Sequence, residues 1–203
     1  MNIVQKLHLG LVFPRRTERL SSLIADILPE NSTILDVGCG DGIVDALIIA
    51  KRPDIKITGV DVLKRKKAQI PVTIYDGGRL PFPNQSFDCI MFIDTLHHAH
   101  NSKGLLEEAK RVTKKNIIIK DHYADNSLSF FTLRFMDWVG NKFYRVNLPY
   151  NYYSKKQWDR IFLDLNLKKV KEINKLNLYP FPFNLIFERD YHFIINLIKI
   201  ESL

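Results

Sequence analysis

Short apolar runs alternate with segments whose apolar residues recur three and four positions apart over most of the first 121 residues. Arg15 to Leu28 has the helical spacing and stops at Pro29, which predicts a helix. Thr33 to Val37 predicts a first strand, and Ile43 to Lys51 a helix closed by Pro53. Lys56 to Val60, Val72 to Tyr75, Phe87 to Ile93 and Asn116 to Lys120 predict four further strands, with a helix over Ser102 to Val112 before the last. Strands alternating with helices predict an α/β fold, a doubly wound parallel sheet covered on both faces.

Beyond residue 121 the pattern changes. Tyr123 to Tyr153 is rich in aromatics: Phe130, Phe131, Phe135, Trp138, Phe143, Tyr144, Tyr150, Tyr152 and Tyr153. Ser154 is a candidate N-cap for a helix running to Leu165. Lys168 to Leu178 and Tyr191 to Ile200 predict two long strands. The loop between them holds Pro180 and Pro182 and has no room for a long helix. They therefore pair most simply as an antiparallel hairpin at one sheet edge. Residues 1–203 read as one domain, with 15–121 as its core, 122–166 as a cover over the crevice and 167–203 as the terminal hairpin.

Composition narrows the picture. Apolar residues make up 46% of the chain, enough for a sizeable core. The two cysteines form neither a disulfide framework nor a zinc spacing, which fits a reducing, cytoplasmic setting. The net charge of +8 invites a nucleic-acid reading. The lysines are spread along the chain, however, and the densest run, Lys64 to Lys67, reads as a solvated face. Phe181 to Ile200 is apolar but broken by Glu188-Arg189-Asp190, so it does not span a membrane. An edge strand is the favoured reading there, and peripheral contact with a lipid surface the alternative. Leu7 to Phe13 lacks a cleavage site and is not read as a leader.

The chemistry starts at Ile34-Leu35-Asp36-Val37-Gly38-Cys39-Gly40-Asp41-Gly42. Glycine at every second position after a strand predicts a turn whose backbone comes close to a ligand, and the helix that follows turns free N–H groups on the same spot. An acid closes each of five strand candidates: Asp36, Asp61, Asp76, Asp94 and Asp121. Ligands of open α/β sheets bind outside the carboxyl ends of the strands, so these acids should ring one crevice. Such a rim suits a cationic ligand with hydroxyls. It would repel the pyrophosphate of a nicotinamide dinucleotide, whose usual pattern is G-x-G-x-x-G.

With Gly59-Val60-Asp61, and Leu80-Pro81-Phe82-Pro83-Asn84-Gln85-Ser86-Phe87-Asp88 running into Phe92-Ile93-Asp94-Thr95-Leu96-His97-His98, the chain resembles the class I S-adenosylmethionine-dependent methyltransferases. Within them it resembles the branch with a type 11 methyltransferase domain. The resemblance covers roughly residues 15 to 121. It implies a Rossmann-like, seven-stranded, mostly parallel sheet with an antiparallel terminal hairpin. It also implies S-adenosyl-L-methionine as cofactor and S-adenosyl-L-homocysteine as product. Asp36, Gly38, Cys39 and Gly40 would hold the methionine end. Asp61, with Val62 beside it, would hold the ribose hydroxyls. Asp76 and Gly77 would meet the adenine, although Gly77-Gly78-Arg79 departs from the small apolar residue often found there. Asp94 and Thr95 would lie beside the methyl donor.

A base is needed only for an acceptor that holds its proton tightly. His97, His98 and His122 are the candidates, each weighed against a packing or capping role, with Asp121 as a partner for His122. No metal is assigned. The expected acceptor is a small molecule, apolar or aromatic if the aromatics after residue 123 line its pocket. Oxygen is the favoured atom, with nitrogen and carbon open. A cofactor-binding protein without turnover and a modifier of RNA or protein are the alternatives; nucleic acid is the less favoured partner. The oligomeric state is not legible. Arg15 and Arg16 are candidates for an acidic group on the acceptor or for plain surface residues.

Overall fold

Strand side chains alternate between two cores, and that alternation builds the molecule. On β4 (Phe87–Ile93), Ile90 and Phe92 enter one core while Cys89 and Met91 enter the other. The first core packs against α3 (Ser102–Val112) through Leu105, Leu106, Ala109 and Val112. The second packs against α1 (Phe13–Ala25) through Leu20 and Ile24, and α2 (Ile43–Lys51) through Ile48. Side chains of this kind contribute about 1.5–3 kcal/mol each when fully buried. The computed structural model describes residues 8–141 and 149–200.

The sheet has seven strands in the order β3-β2-β1-β4-β5-β7-β6. β1 (Thr33–Val37), β2 (Lys56–Asp61), β3 (Val72–Ile74), β4 and β5 (Thr113–His122) run parallel, and β7 (His192–Lys199) is antiparallel to both β5 and β6 (Leu167–Ile173). Strand order reverses between β1 and β4, so the crevice opens where Gly38 and Asp94 emerge, at the switch point. The predicted helices and the terminal hairpin are all present.

Several boundaries differ from expectation. β5 continues through Asp121 to His122, so Asp121 does not close its strand; β7 pairs with Asp121 and His122 and extends the ladder. β6 stops at Ile173, and Leu176 and Leu178 are buried beyond it. β7 is not the edge. Its run Phe193, Ile194, Ile195 is buried on both faces, which is interior-strand chemistry. The lysine-rich β6 takes the edge, where charge discourages further pairing.

The aromatic segment holds a helix the spacing had not predicted, α4 (Ser127–Asn141). Phe143 and Tyr144 lie outside the described residues. Ser154 does cap α5 (Lys155–Asp164), in a reciprocal capping box with Gln157. A single helical turn, α6 (Asn184–Phe187), stands between β6 and β7. No helix among the described residues is long and apolar enough to cross a membrane.

Candidate active site

The glycine turn has the sharp backbone its spacing predicted. Gly38, Gly40 and Gly42 all have positive φ, where a Cβ is strained. A Cβ on Gly38 would strike the Thr95 side chain, so this glycine lets the end of β4 close against the turn. A Cβ on Gly40 would meet nothing within 4 Å. That bare position leaves an open cradle beside the backbone of the turn.

Asp61 fixes this cradle. Its Oδ2 accepts from Gly40 N at 2.8 Å and its Oδ1 from Leu63 N at 2.7 Å. Each carboxylate oxygen retains a lone pair for a further donor. Asp76 accepts from Gly78 N at 2.9 Å, and Val62 and Ile74 stand exposed beside it. A Cβ on Gly77 would reach to 3.2 Å from Val62, so the Val62 side chain lies against this turn.

Asp36 is buried, and its Oδ1 has no protein donor. The residue that sequence reasoning missed is Asp45, buried on α2 against Asp36. Burial and then the charge of Asp45 hold the Asp36 carboxyl well above its usual range, and burial pushes Asp45 up to about 7. Two carboxyls so placed share a proton near neutrality. Asp45 carried a weak signal, as the lone acid in the apolar helix IVDALIIAK. Cys39 lies under the turn against Gly59, and burial pushes its thiol up, which makes it packing and not a nucleophile.

The other two rim acids are already engaged. Asp94 is held by Arg16 and by the buried Lys120, so its carboxylate is not a free acceptor. Arg16 is therefore a structural partner of β4, not the plain surface residue considered above. Asp121 is buried, with its Oδ1 2.7 Å from His97 Nδ1 and 3.2 Å from His122 Nδ1. The expected ring of five open carboxylates is thus corrected: β5 brings its own lysine and histidine to the same lip.

The three candidate histidines do come together. The His97 ring centroid lies 4.0 Å from that of His98 and 4.9 Å from that of His122. The far nitrogen of His97, Nε2, faces Asp137 Oδ2 on α4 at 3.2 Å. Asp137 also accepts from the Tyr152 hydroxyl. Burial opposes charge on His97, but the carboxylates of Asp121 and Asp137 outweigh it and hold the imidazolium up to about 10. Burial, with the charge of Lys120, pushes His122 down to about 3, and burial with His97 pushes His98 down to about 4.

These states separate the three roles. His97 has both nitrogens directed at carboxylates and no lone pair to offer. His122 has Nδ1 against Asp121 and Nε2 3.4 Å from Lys120 Nζ. His98 is neutral, with Nδ1 unpartnered. The donor sets His97/Asp121/His122 and His97/His98/Asp137 each lie within 4.8 Å. They would take a cation only by displacing the proton that His97 holds between the carboxylates.

The aromatics divide into three groups. Tyr123, Tyr153 and Trp158 pack in the core. Phe130, Tyr150 and Tyr152 wall the histidine cluster, with Tyr152 stacked on His97 at 5.6 Å. Phe131, Phe135 and Trp138 face outward.

A family model for a methyltransferase domain matches residues 12–172, which include both the glycine cradle and the histidine cluster. The chain belongs to the class I S-adenosylmethionine-dependent methyltransferases. It is 28% identical over 113 residues to the 27-O-demethylrifamycin SV methyltransferase of Amycolatopsis mediterranei, covering 48% of this chain and 41% of that one. It is 25% identical over 171 residues to the demethylmenaquinone methyltransferase of Thermotoga maritima, covering 76% and 74%. The chain thus spans less than half of the first relative and about three quarters of the second. A Haloferax volcanii methyltransferase, described as putative and solved in complex with its activator Trm112, shares the fold. Its TM-score is 0.74 at 14% identity, over 98% of this chain and 95% of that one.

Proposed function

We propose that this chain transfers a methyl group from S-adenosylmethionine to a small, apolar, ring-bearing acceptor with an ionisable hydroxyl, of the quinol or phenol class. Asp36 and Gly40 would receive the methionine end, Asp61 the ribose hydroxyls, and Asp76 with Val62 and Gly77 the adenine. Gly38 and Thr95, where the two loops touch, would lie beside the reacting methyl. The cofactor supplies an already activated methyl on a sulfonium, so the chain's work is to orient the acceptor and take its proton.

One observation carries this reading: the unpartnered, neutral His98 stands beside the locked His97 imidazolium, on which Tyr152 stacks with Phe130 and Tyr150 against it. A neutral imidazole can take a hydroxyl proton. The aromatic wall suits a ring. His97 and His122 then serve as positioning residues. Support comes from a 2-methyl-6-phytyl-1,4-hydroquinone methyltransferase of Synechocystis, 31% identical over 104 residues and covering 46% of this chain and 32% of that one. Oxygen is the favoured acceptor atom. A deprotonated ring hydroxyl also activates its neighbouring carbon, so product analysis decides between the two.

The test is methyl transfer from labelled cofactor to a panel of quinols, phenols and aliphatic alcohols. His98→Gln should lower the single-turnover rate about 100-fold or more while product-cofactor affinity by calorimetry is unchanged. Labelling of RNA or protein in preference to every small acceptor would refute the proposal.

A further inference from the structure

α4 carries its chemistry on both faces. Asp137 and Leu133 turn inward, while Leu128, Phe131, Phe135 and Trp138, at spacings of three, four and three, line the outward face. Phe131 is 64% exposed. The stripe does not end with the helix. Phe135 stacks on Phe187 of α6, centroids 6.4 Å apart, and from that segment Phe181, Leu185 and Ile186 also project, Phe181 at 78% exposure. Two elements far apart in sequence thus build one outward apolar face beside the histidine cluster. Patches of this kind on a folded protein mark a contact surface.

We propose that this face docks on an anionic lipid surface, which deepens the acceptor reading above by naming where an apolar ring substrate would be met. Charge selects this occupant. The one acid within α4, Asp137, is turned in against His97, whereas Arg134 is exposed on the helix. In the second segment Glu188 is turned in, accepting from Leu178 N and Tyr179 N, and Arg189 is exposed with Asp190 beside it. The whole chain carries +8. An amphipathic helix with Trp and Phe outward and arginine alongside has the character of an interfacial helix. Phe181 to Ile200, read from sequence as an edge strand, divides accordingly: His192–Lys199 is interior sheet, and its first third is exposed apolar surface.

The chain carries its own reporter, because its other tryptophan, Trp158, is 1% exposed in the core. The full chain is titrated with phosphatidylcholine vesicles, with and without phosphatidylglycerol, in the absence of cofactor and acceptor. Sedimentation and tryptophan emission are followed. Vesicles containing phosphatidylglycerol should bind at least tenfold more tightly than neutral ones, shift the emission to the blue, and release the protein as salt is raised. Trp138→Phe should remove the shift. Phe131→Ser with Leu185→Ser should weaken binding at least tenfold, and because both sites are exposed the melting temperature should hold. If that pair does not fold, Arg134→Glu, with Arg189→Glu, tests the same face through charge. The proposal is overturned if the wild type stays in the supernatant, if neutral and anionic vesicles bind alike, or if the substitutions leave binding unchanged. It is also overturned if the protein is a dimer that the Phe131/Leu185 pair dissociates, which would make the face an interface between copies. Methyl transfer in detergent-dispersed acceptor is read separately, so either proposal can fail alone.

Discussion

Replacing Asp137 by asparagine removes one of the two carboxylates that hold the His97 imidazolium. His97 and Asp121 are each 1% exposed, so water screens the cluster little. A charge-assisted contact is worth about 1.5–3 kcal/mol, and the His97–Asp137 ion pair, 3.2 Å apart without hydrogen-bond alignment, falls toward the lower end. The amide oxygen can still accept from Tyr152. The expected loss is therefore about 2 kcal/mol, or roughly 1 M in the urea midpoint for a chain of this size. The loss should depend on pH. His97 has its folded pKa raised from about 6.5 to about 10, so its contribution is complete below about 6.5 and vanishes as pH rises through about 10. Burial works against the Asp137 carboxylate, but the charge of His97 outweighs it and holds the group well below the usual carboxylate range, so its contribution is kept above about 4 and is lost as pH falls through the lower folded value. Urea unfolding of wild type and Asp137→Asn between about pH 5 and 10 should thus show a difference that is largest near pH 5–6 and shrinks toward pH 10. A constant difference over that range, or a His97 ring titrating near 6.5 by NMR, would falsify the locked imidazolium.

Two glycine substitutions should separate fold from function. Gly40→Ala should cost about 1 kcal/mol of stability, the strain of a positive φ, yet abolish cofactor binding by calorimetry, because its Cβ would fill the open space proposed for the cofactor. Gly38→Ala should lower the melting temperature more, since its Cβ meets Thr95. Asp61→Asn should weaken cofactor affinity about 100-fold through the lost charged acceptor, with the fold retained; unchanged affinity would remove Asp61 from the ribose site. His98 and His122, held neutral below their ordinary values, should make the protein lose stability as pH falls from about 6.5 through about 4 and then about 3. The catalytic rate, if His98 is the base, should keep its acid limb near 4 and not 6.5.

The histidine cluster shows where linear reading stops. His97, His98 and His122 were visible as titratable residues next to strand ends, but their roles depend on what stands opposite each ring nitrogen. Asp137 lies 40 positions from His97 in an aromatic stretch that offered no spacing signal, and Lys120 sat in the run Asn-Ile-Ile-Ile-Lys as an ordinary strand charge. Only the approach of α4 to the turn after β4 makes Asp137 a counterion of His97, and only the parallel pairing of β4 with β5 sets Lys120 on Asp94. The same packing leaves one face of α4 outward.

Much of the architecture was fixed locally. Alternation of apolar runs with helical spacing dictates a parallel sheet, because strands buried on both faces need helices to cover them. Glycine at 38, 40 and 42 dictates an open turn, since only glycine takes that backbone freely. These are short-range constraints, written in neighbouring residues. Charge state, edge order and exposure are long-range. Whether an acid is an open ligand or half of an ion pair, and whether an aromatic is core or surface, depends on residues 20 to 80 positions away, and the tertiary structure alone decided them.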